Sequence, residues 1–435
     1  PFLNLKKALC PPRIPEGGHF CVLCSPAGYA TLKEKEAFAM KKFIRQAAAV
    51  LLCAALLLAG AASAAAQTDP VEERLSAMSL REKVGQLFVV RIEALDTGWG
   101  ASSTELTLSA RIGLRQYPVG GIVLFRQNVE NPDQLQALTA DLQAASGTGL
   151  LVAVDEEGGN VARLANAAGF TLPKYQSAQA VGSTGDPANA RAMGQTIGSY
   201  LKESGINLDF APVADVNTNP ANPVIGKRAF STDPAVAAQM VAAAVQGFHD
   251  AGVLCTLKHF PGHGDTAEDS HYGTATSTKT WAEMQAVEIQ PFAAGIAAGA
   301  DVVMTAHITT PNATQDDLPA SLSYTMLTER LRGELGFTGV ICTDSLSMQA
   351  IRDHFSPAEA AVMALNAGAD LLLMPTSLPE AFDGVLQAVQ SGTISEERLN
   401  ESVRRILTLK QKAGLELDNR TPLQKALDAF RLGGN

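Results

Sequence analysis

Short continuous runs of aliphatic and β-branched residues recur along this chain, each followed by an alanine-rich stretch of helical character. Eight stand out: residues 84–90, 121–125, 150–154, 206–212, 253–257, 301–305, 339–343 and 370–374. Unbroken apolar runs, as opposed to alternating ones, mark strands buried on both faces, as in a parallel sheet. Helix-start signals fall between them. Ser79 with Glu82, and Ser356-Pro357 with Glu359, are capping boxes, the second with proline at the first helical position. Ser395 opens a last helix on which Leu399, Val403, Ile406 and Leu407 share one face. Eight strands alternating with helices predict an α/β fold, a (β/α)8 barrel of the TIM type forming a single catalytic domain. A doubly wound open sheet is the alternative, but no Gly-x-Gly-x-x-Gly follows an early strand.

In such barrels chemistry gathers at the C-terminal ends of the strands. Polar residues collect there: Asp155, Glu156 and Glu157 after the third run, Asp215 and Asn217 after the fourth, Lys258 and His259 after the fifth. His307 follows the sixth and Asp344 the seventh. These segments are far apart in sequence and would converge on one mouth.

The N-terminal part reads separately. Residues 1–39 show no periodicity and are taken as non-native upstream translation. From Met40, basic Lys41, Lys42 and Arg45 precede an apolar stretch that ends in Ala62-Ser63-Ala64. That order makes residues 40–66 a signal peptide, so the protein is expected to be exported, periplasmic or secreted, with no stable membrane insertion once the signal is cleaved. Residues 67–435 then form the catalytic barrel.

Setting aside the 8 basic and 3 acidic residues of 1–66 leaves 26 basic and 41 acidic groups, a net charge of −15. That balance argues against a nucleic-acid partner. Of six cysteines, Cys10, Cys21, Cys24 and Cys53 precede the barrel, and the Cys21-x-x-Cys24 pair has no second pair at zinc-ligand spacing. Cys255 and Cys342 lie in apolar runs and read as small buried hydrophobes.

The densest chemistry is the run Lys258-His259-Phe260-Pro261-Gly262-His263-Gly264-Asp265-Thr266, continuing through Glu268-Asp269-Ser270-His271. Three of the chain's seven histidines fall within these residues, together with a lysine and several acids. So many proton-handling groups with so few packing groups point to an active site. Glu268 reads as a solvated charge, while His263 and Asp265 could shape the loop or reach a ligand.

This run resembles the signature of glycoside hydrolase family 3, in its β-N-acetylhexosaminidase branch of peptidoglycan-recycling type. Val340-Ile341-Cys342-Thr343-Asp344-Ser345 resembles that family's nucleophile strand. Asp155-x-Glu157-Gly158-Gly159 through Arg163, and Ile225-Gly226-x-Arg228, resemble its sugar-binding segments. The likeness covers roughly residues 75–415. It implies an exo-acting retaining enzyme that releases terminal β-linked N-acetylglucosamine from peptidoglycan- or chitin-derived glycans. Asp344 would be the nucleophile, and His271 the acid/base with Asp269 as partner. Asp155, Arg163, Arg228, Lys258 and His259 would bind the sugar, and no metal or other cofactor is implied.

An imidazole suits the acid/base role, because an unperturbed histidine titrates near ~6.5 and can both donate and accept at neutral pH. A buried Lys258 would be costly unless paired, so a carboxylate is expected beside it. Two positions depart from the family pattern, Glu156 and Asn160, and both are expected to alter charge near the mouth. The partner is a carbohydrate, and a monomer is expected. Three other readings stay open: a β-glycosidase of different specificity in the same family, a zinc-dependent hydrolase using His259, His263, Asp265 and His271, and a non-catalytic sugar-binding barrel.

Overall fold

The computed structural model describes residues 37–43, 46, 69–96, 103–269, 273 and 275–421. The chain divides into two compact units, Pro1–Thr68 and Asp69–Asn435. In the first, the described residues are helical and exposed; most of the proposed signal peptide, and nearly all of 1–39, lie outside the described residues. Among the described residues no helix is long and apolar enough to cross a membrane.

The second unit is built on eight parallel strands: β1 Phe88–Val90, β2 Gly121–Leu124, β3 Leu151–Val154, β4 Leu208–Asp209, β5 Leu254–Phe260, β6 Val302–Thr305, β7 Val340–Thr343 and β8 Leu372–Leu373. Neighbours in sequence pair in parallel from β1 to β7, with Gly121 opposite Leu151 and Val340 opposite Val302, and the register of β5 on β6 shifts between Leu257 and Phe260. β8 pairs with β1, and a parallel bridge between Cys342 and Leu371 joins β7 to the entry of β8, so the ring closes. This is the (β/α)8 barrel that the alternation predicts, and all eight runs contribute a strand.

Helices follow the strands and cover the outside. The capping boxes at Ser79/Glu82 and Ser356/Glu359 form as expected. Ser395 caps Glu396–Lys412, which buries Leu399, Val403, Ile406 and Leu407. Phe88 stacks on Phe382 at 6.0 Å, and Phe260 meets Phe292 edge-on at 5.3 Å. These rings tie strands to covering helices, each fully buried side chain contributing roughly 1.5–3 kcal/mol. Cys255 and Cys342 are free and buried.

Two boundaries differ from expectation. The run 84–90 is not all strand: the Ser79 cap starts a helix, Leu80–Gln86, and the strand begins only at Phe88. An apolar run cannot distinguish the buried last turn of a helix from the strand that follows it. Conversely, β5 runs through Phe260, so Lys258 and His259 sit on the strand itself, not in a loop.

The N-terminal face of the barrel is tied by Asp370, which is fully buried. It pairs with Arg332, accepts from Ser402 Oγ at 2.6 Å and from Arg405 Nη1 at 3.1 Å, and takes the Ile341 backbone N–H at 3.0 Å. One carboxylate thereby joins β7, β8 and the last helix.

Candidate active site

At the opposite, C-terminal face, a cavity of about 500 Å³ is lined by Asp155, Glu157, Arg163, Arg228, Lys258, His259 and Asp344. Six of these seven were assigned roles from sequence, and Glu157 was placed at the same mouth without one, on segments up to 189 positions apart. The barrel brings them together because each follows, or ends, a parallel strand that points the same way.

Lys258 is the hub. Its Nζ lies 2.7 Å from Asp155 Oδ1 and 2.6 Å from Glu157 Oε1, and its side chain is almost fully buried. Asp155 Oδ2 takes Arg163 Nη2 at 3.2 Å, and Arg228 clamps Glu157 with two bonds of 2.8 and 2.7 Å. The expected carboxylate partner of Lys258 is therefore present twice. Burial disfavours both carboxylates, but the facing cations outweigh it: Lys258 and Arg163 hold Asp155 below its usual range, and Arg228 and Lys258 hold Glu157 well below it. Reciprocally, burial disfavours the Lys258 ammonium, yet Asp155 and Glu157 raise it. The result is a rigid array of fixed charges, with forked and point donors beside acceptors.

His259 is oriented from behind. Its Nδ1 lies 2.8 Å from Asp215 Oδ2, and its Nε2 lies 3.3 Å from Arg228 Nη2. A guanidinium only donates, so Nε2 accepts and the proton sits on Nδ1, directed at Asp215. Asp215 also takes the His263 backbone N–H at 2.6 Å, and burial of this carboxylate is outweighed by His259, which keeps it below its usual range. Asp215 and Glu157 were placed at the strand-end mouth from sequence but were given no role there. The available signal for Asp215 was a lone acid inside the apolar stretch 210–216.

Local glycines permit this packing. The hairpin Glu156–Gly158 with Val161–Ala162 turns through Gly158 and Gly159, both at positive φ of 82° and 66°. A Cβ on Gly264 would sit 1.9 Å from the Val216 carbonyl oxygen, so only glycine lets the loop after β5 pass the loop after β4. Asn222 fastens the same two loops, donating to the His263 carbonyl at 2.8 Å and the Thr266 carbonyl at 2.9 Å.

Asp344 immediately follows β7 and lines the cavity, its Oδ1 accepting the Ser345 backbone N–H at 2.7 Å. His307 is buried behind it, with Nδ1 2.7 Å from Ser321 Oγ and Nε2 2.8 Å from the Ser345 carbonyl, so it supports the Asp344 turn and does not line the cavity. Asp269 is half-buried on the loop after β5 and is not among the residues lining the cavity, and Glu268 is exposed as expected. His271 lies outside the described residues.

One expectation is corrected. Glu156 does not alter charge at the mouth, because it points away from the cavity and is fully buried. Its carboxyl accepts the backbone N–H groups of Arg163, Leu164 and Ala165, and the Tyr200 hydroxyl at 2.9 Å. Burial pushes it up in spite of these bonds. Asn160 is exposed at the hairpin tip.

The zinc set considered from sequence is not gathered among the described residues. His259 faces a guanidinium, His263 Nδ1 meets Thr266 Oγ1 at 2.7 Å, and Asp265 holds Ser277 at 2.9 Å and Lys279 at 3.4 Å. His263 and Asp265 thus shape the loop.

Comparison with known proteins agrees with this fold. A Beta-hexosaminidase of Stenotrophomonas maltophilia (strain K279a) is 40% identical over 305 residues, covering 69% of this chain and 88% of the relative. Beta-hexosaminidase A of Pseudoalteromonas piscicida is 37% identical over 349 residues, or 73% of this chain, and the chain spans 58% of that relative's length. Among solved structures, a glycoside hydrolase family 3 beta-N-acetylglucosaminidase from Paenibacillus sp. str. FPU-7 superposes with a TM-score of 0.72 at 42% identity, covering 78% of this chain and 63% of that one. The sequence profile of the Glycosyl hydrolase family 3 N terminal domain matches residues 79–409, which takes in every strand of the barrel and every residue of the cavity named above. With cradle, strand-end carboxylate and barrel all in that span, the chain belongs to glycosyl hydrolase family 3.

Proposed function

We propose that this chain is an exo-acting, retaining β-N-acetylhexosaminidase that removes terminal β-linked N-acetylglucosamine from peptidoglycan- or chitin-derived glycans. The observation that carries this reading is the cavity itself, which Asp344 lines together with a cradle of Asp155, Arg163, Lys258, Arg228 and His259. The relatives named Beta-hexosaminidase support the same activity.

A non-reducing sugar presents hydroxyls and an acetamide, so its site needs fixed acceptors and fixed donors. Asp155 supplies the first, and Lys258, Arg163 and Arg228 the second. With the sugar held, the Asp344 carboxylate attacks the anomeric carbon as its bond to the leaving oxygen breaks. That oxygen takes a proton from the His271 imidazole, which Asp269 orients. Water then hydrolyses the glycosyl ester, giving its proton to the same imidazole and restoring Asp344. A histidine in this role avoids a second negative charge opposite the nucleophile. Residues 40–66 support an exported enzyme acting in the periplasm or outside the cell; its partner in this reading is a carbohydrate, and the enzyme is proposed to act as a monomer.

The test is a panel of aryl β-glycosides with N-acetylglucosamine and glucose compared side by side, and the product anomer followed by NMR. Selective cleavage of the acetamido sugar with retention supports the reading. Inverted product, or equal cleavage of the glucoside, overturns the mechanism or the specificity respectively.

A further inference from the structure

On the barrel face opposite the active site, three side chains of metal-binding type converge. His249 stands in the last turn of the helix Pro234–Ala251, Cys255 near the start of β5, and Asp301 immediately before β6. Their potential ligand atoms, an imidazole nitrogen, a thiol sulfur and a carboxylate oxygen, all lie within 4.8 Å of one another. This is the one such group of three among the described residues. None of the three belongs to the sugar cavity.

We propose that His249, Cys255 and Asp301 form a binding site for a single divalent cation of the zinc class. The distances suit a tetrahedral ion. With metal–sulfur and metal–nitrogen bonds of about 2.3 and 2.05 Å, a tetrahedral sulfur–nitrogen edge is about 3.6 Å and a nitrogen–oxygen edge about 3.3 Å. Here Cys255 Sγ lies 3.9 Å from His249 Nε2, and His249 Nε2 lies 2.9 Å from Asp301 Oδ2. Shifts of a few tenths of an ångström in side-chain torsions would accommodate the ion.

The donor set fits the chemistry. A thiolate with an imidazole favours zinc or cobalt over magnesium or calcium, which prefer all-oxygen shells. Asp301 already takes the His249 ring nitrogen and the Cys255 backbone N–H on Oδ2, at 2.9 and 3.0 Å, and pairs with Lys412 through Oδ1. Binding displaces the Cys255 thiol proton to solvent and moves the His249 proton to Nδ1, leaving Nε2 free to ligate. Lys412, paired with the other Asp301 oxygen, stays outside the coordination sphere and holds the carboxylate in place.

An ion has a way in. The His249 side chain is 27% exposed, and Asp301 lines a cavity of about 500 Å³ that opens on this face. The fourth position falls to water, as in a three-ligand site.

The protein, stripped with chelator under reducing conditions, is titrated with Co²⁺ and then Zn²⁺. One equivalent of cobalt should bind with a thiolate-to-metal charge-transfer band in the near ultraviolet, bleached by one equivalent of zinc. Cys255→Ser should abolish that band, Cys342→Ser should retain it, and His249→Ala should weaken cobalt binding at least ~10-fold. A band that survives Cys255→Ser, or none in the intact protein, overturns the site. Glycosidase activity does not enter the readout, so failure here leaves the proposed reaction untouched.

Discussion

Asp215 holds His259 at two points: its Oδ2 lies 2.8 Å from the ring Nδ1 and 3.2 Å from the backbone nitrogen of the same residue. One carboxylate therefore sets both the ring's tautomer and the position of the strand end that carries it. Because Arg228 donates toward Nε2 from the other side, the opposite tautomer would place two donors face to face.

Asp215→Asn tests this directly. The amide keeps the shape but can present a donor to Nδ1, releasing the ring. We expect kcat/KM on the preferred aryl glycoside to fall about 10²-fold, the loss typical of a misplaced binding group. Melting temperature should change little by comparison. A variant with undiminished kcat/KM would show that ring orientation does not matter to the reaction.

Lys258→Met removes the ammonium shared by Asp155 and Glu157 while keeping most of the side-chain volume. Both carboxylates titrate below their ordinary values in the intact protein. Their stabilisation is thus complete above the unfolded values of 3.8 and 4.5 and is lost as pH falls through the folded ones. In the variant these values should rise, so melting temperature should start to drop at a higher pH, and stability at pH 7 should fall by about 3 kcal/mol. Acid titrations of Tm for the two proteins that superpose would contradict the pairing.

Asp209 predicts the opposite slope. It is fully buried on β4, accepts the Glu156 backbone N–H at 2.9 Å, and burial pushes its carboxyl well above the ordinary value. A raised folded pKa contributes stability below the unfolded value that is lost as pH rises. Asp209→Asn keeps the acceptor and cannot ionise. It should match the parent near pH 4 and melt about 2 °C or more higher at pH 8. A variant that is less stable at both pH values would place a charged Asp209 in the folded state.

Asp370→Ala should be the most damaging change away from the cavity. It strands Arg332 and Arg405, both partly buried, and unties β7 from the last helix. A loss of about 3 kcal/mol or more is expected in urea unfolding. The KM of whatever protein remains folded should be unaltered, because no Asp370 partner reaches the sugar cavity.

Asp344→Ala should lower turnover at least ~10³-fold, equivalent to about 4 kcal/mol of transition-state stabilisation. His271→Ala should slow substrates with poor leaving groups far more than activated aryl ones, since only the former need a proton. Equal losses across leaving groups would remove His271 from the acid role.

Much of this protein is legible in its sequence. Largely apolar runs of five to seven residues specify strands covered on both sides, and their alternation with capped helices leaves few folds besides a barrel. Lys258, His259 and Asp344 were legible because charged groups at the ends of such strands have no packing role to explain them. Glu157 and Asp215 were less so: their work is done through Arg228, Lys258 and His259, partners contributed by other strands.

Glu156 and Glu157 make the division plain. Local sequence presents two adjacent acids with the same composition around them, and strand alternation sends them to opposite faces. One enters the cavity and is held ionised by Arg228 and Lys258; the other turns inward to cap three backbone N–H groups, where burial raises its pKa. Element order, strand content and the chemistry at the strand ends follow from local pattern, because propensity and periodicity act over a few residues. Which acid is charged, which histidine is oriented and by whom depends on groups dozens to hundreds of positions away. Charge states in a buried site are set by the nearest neighbours in space, and only closure of the barrel chooses those neighbours.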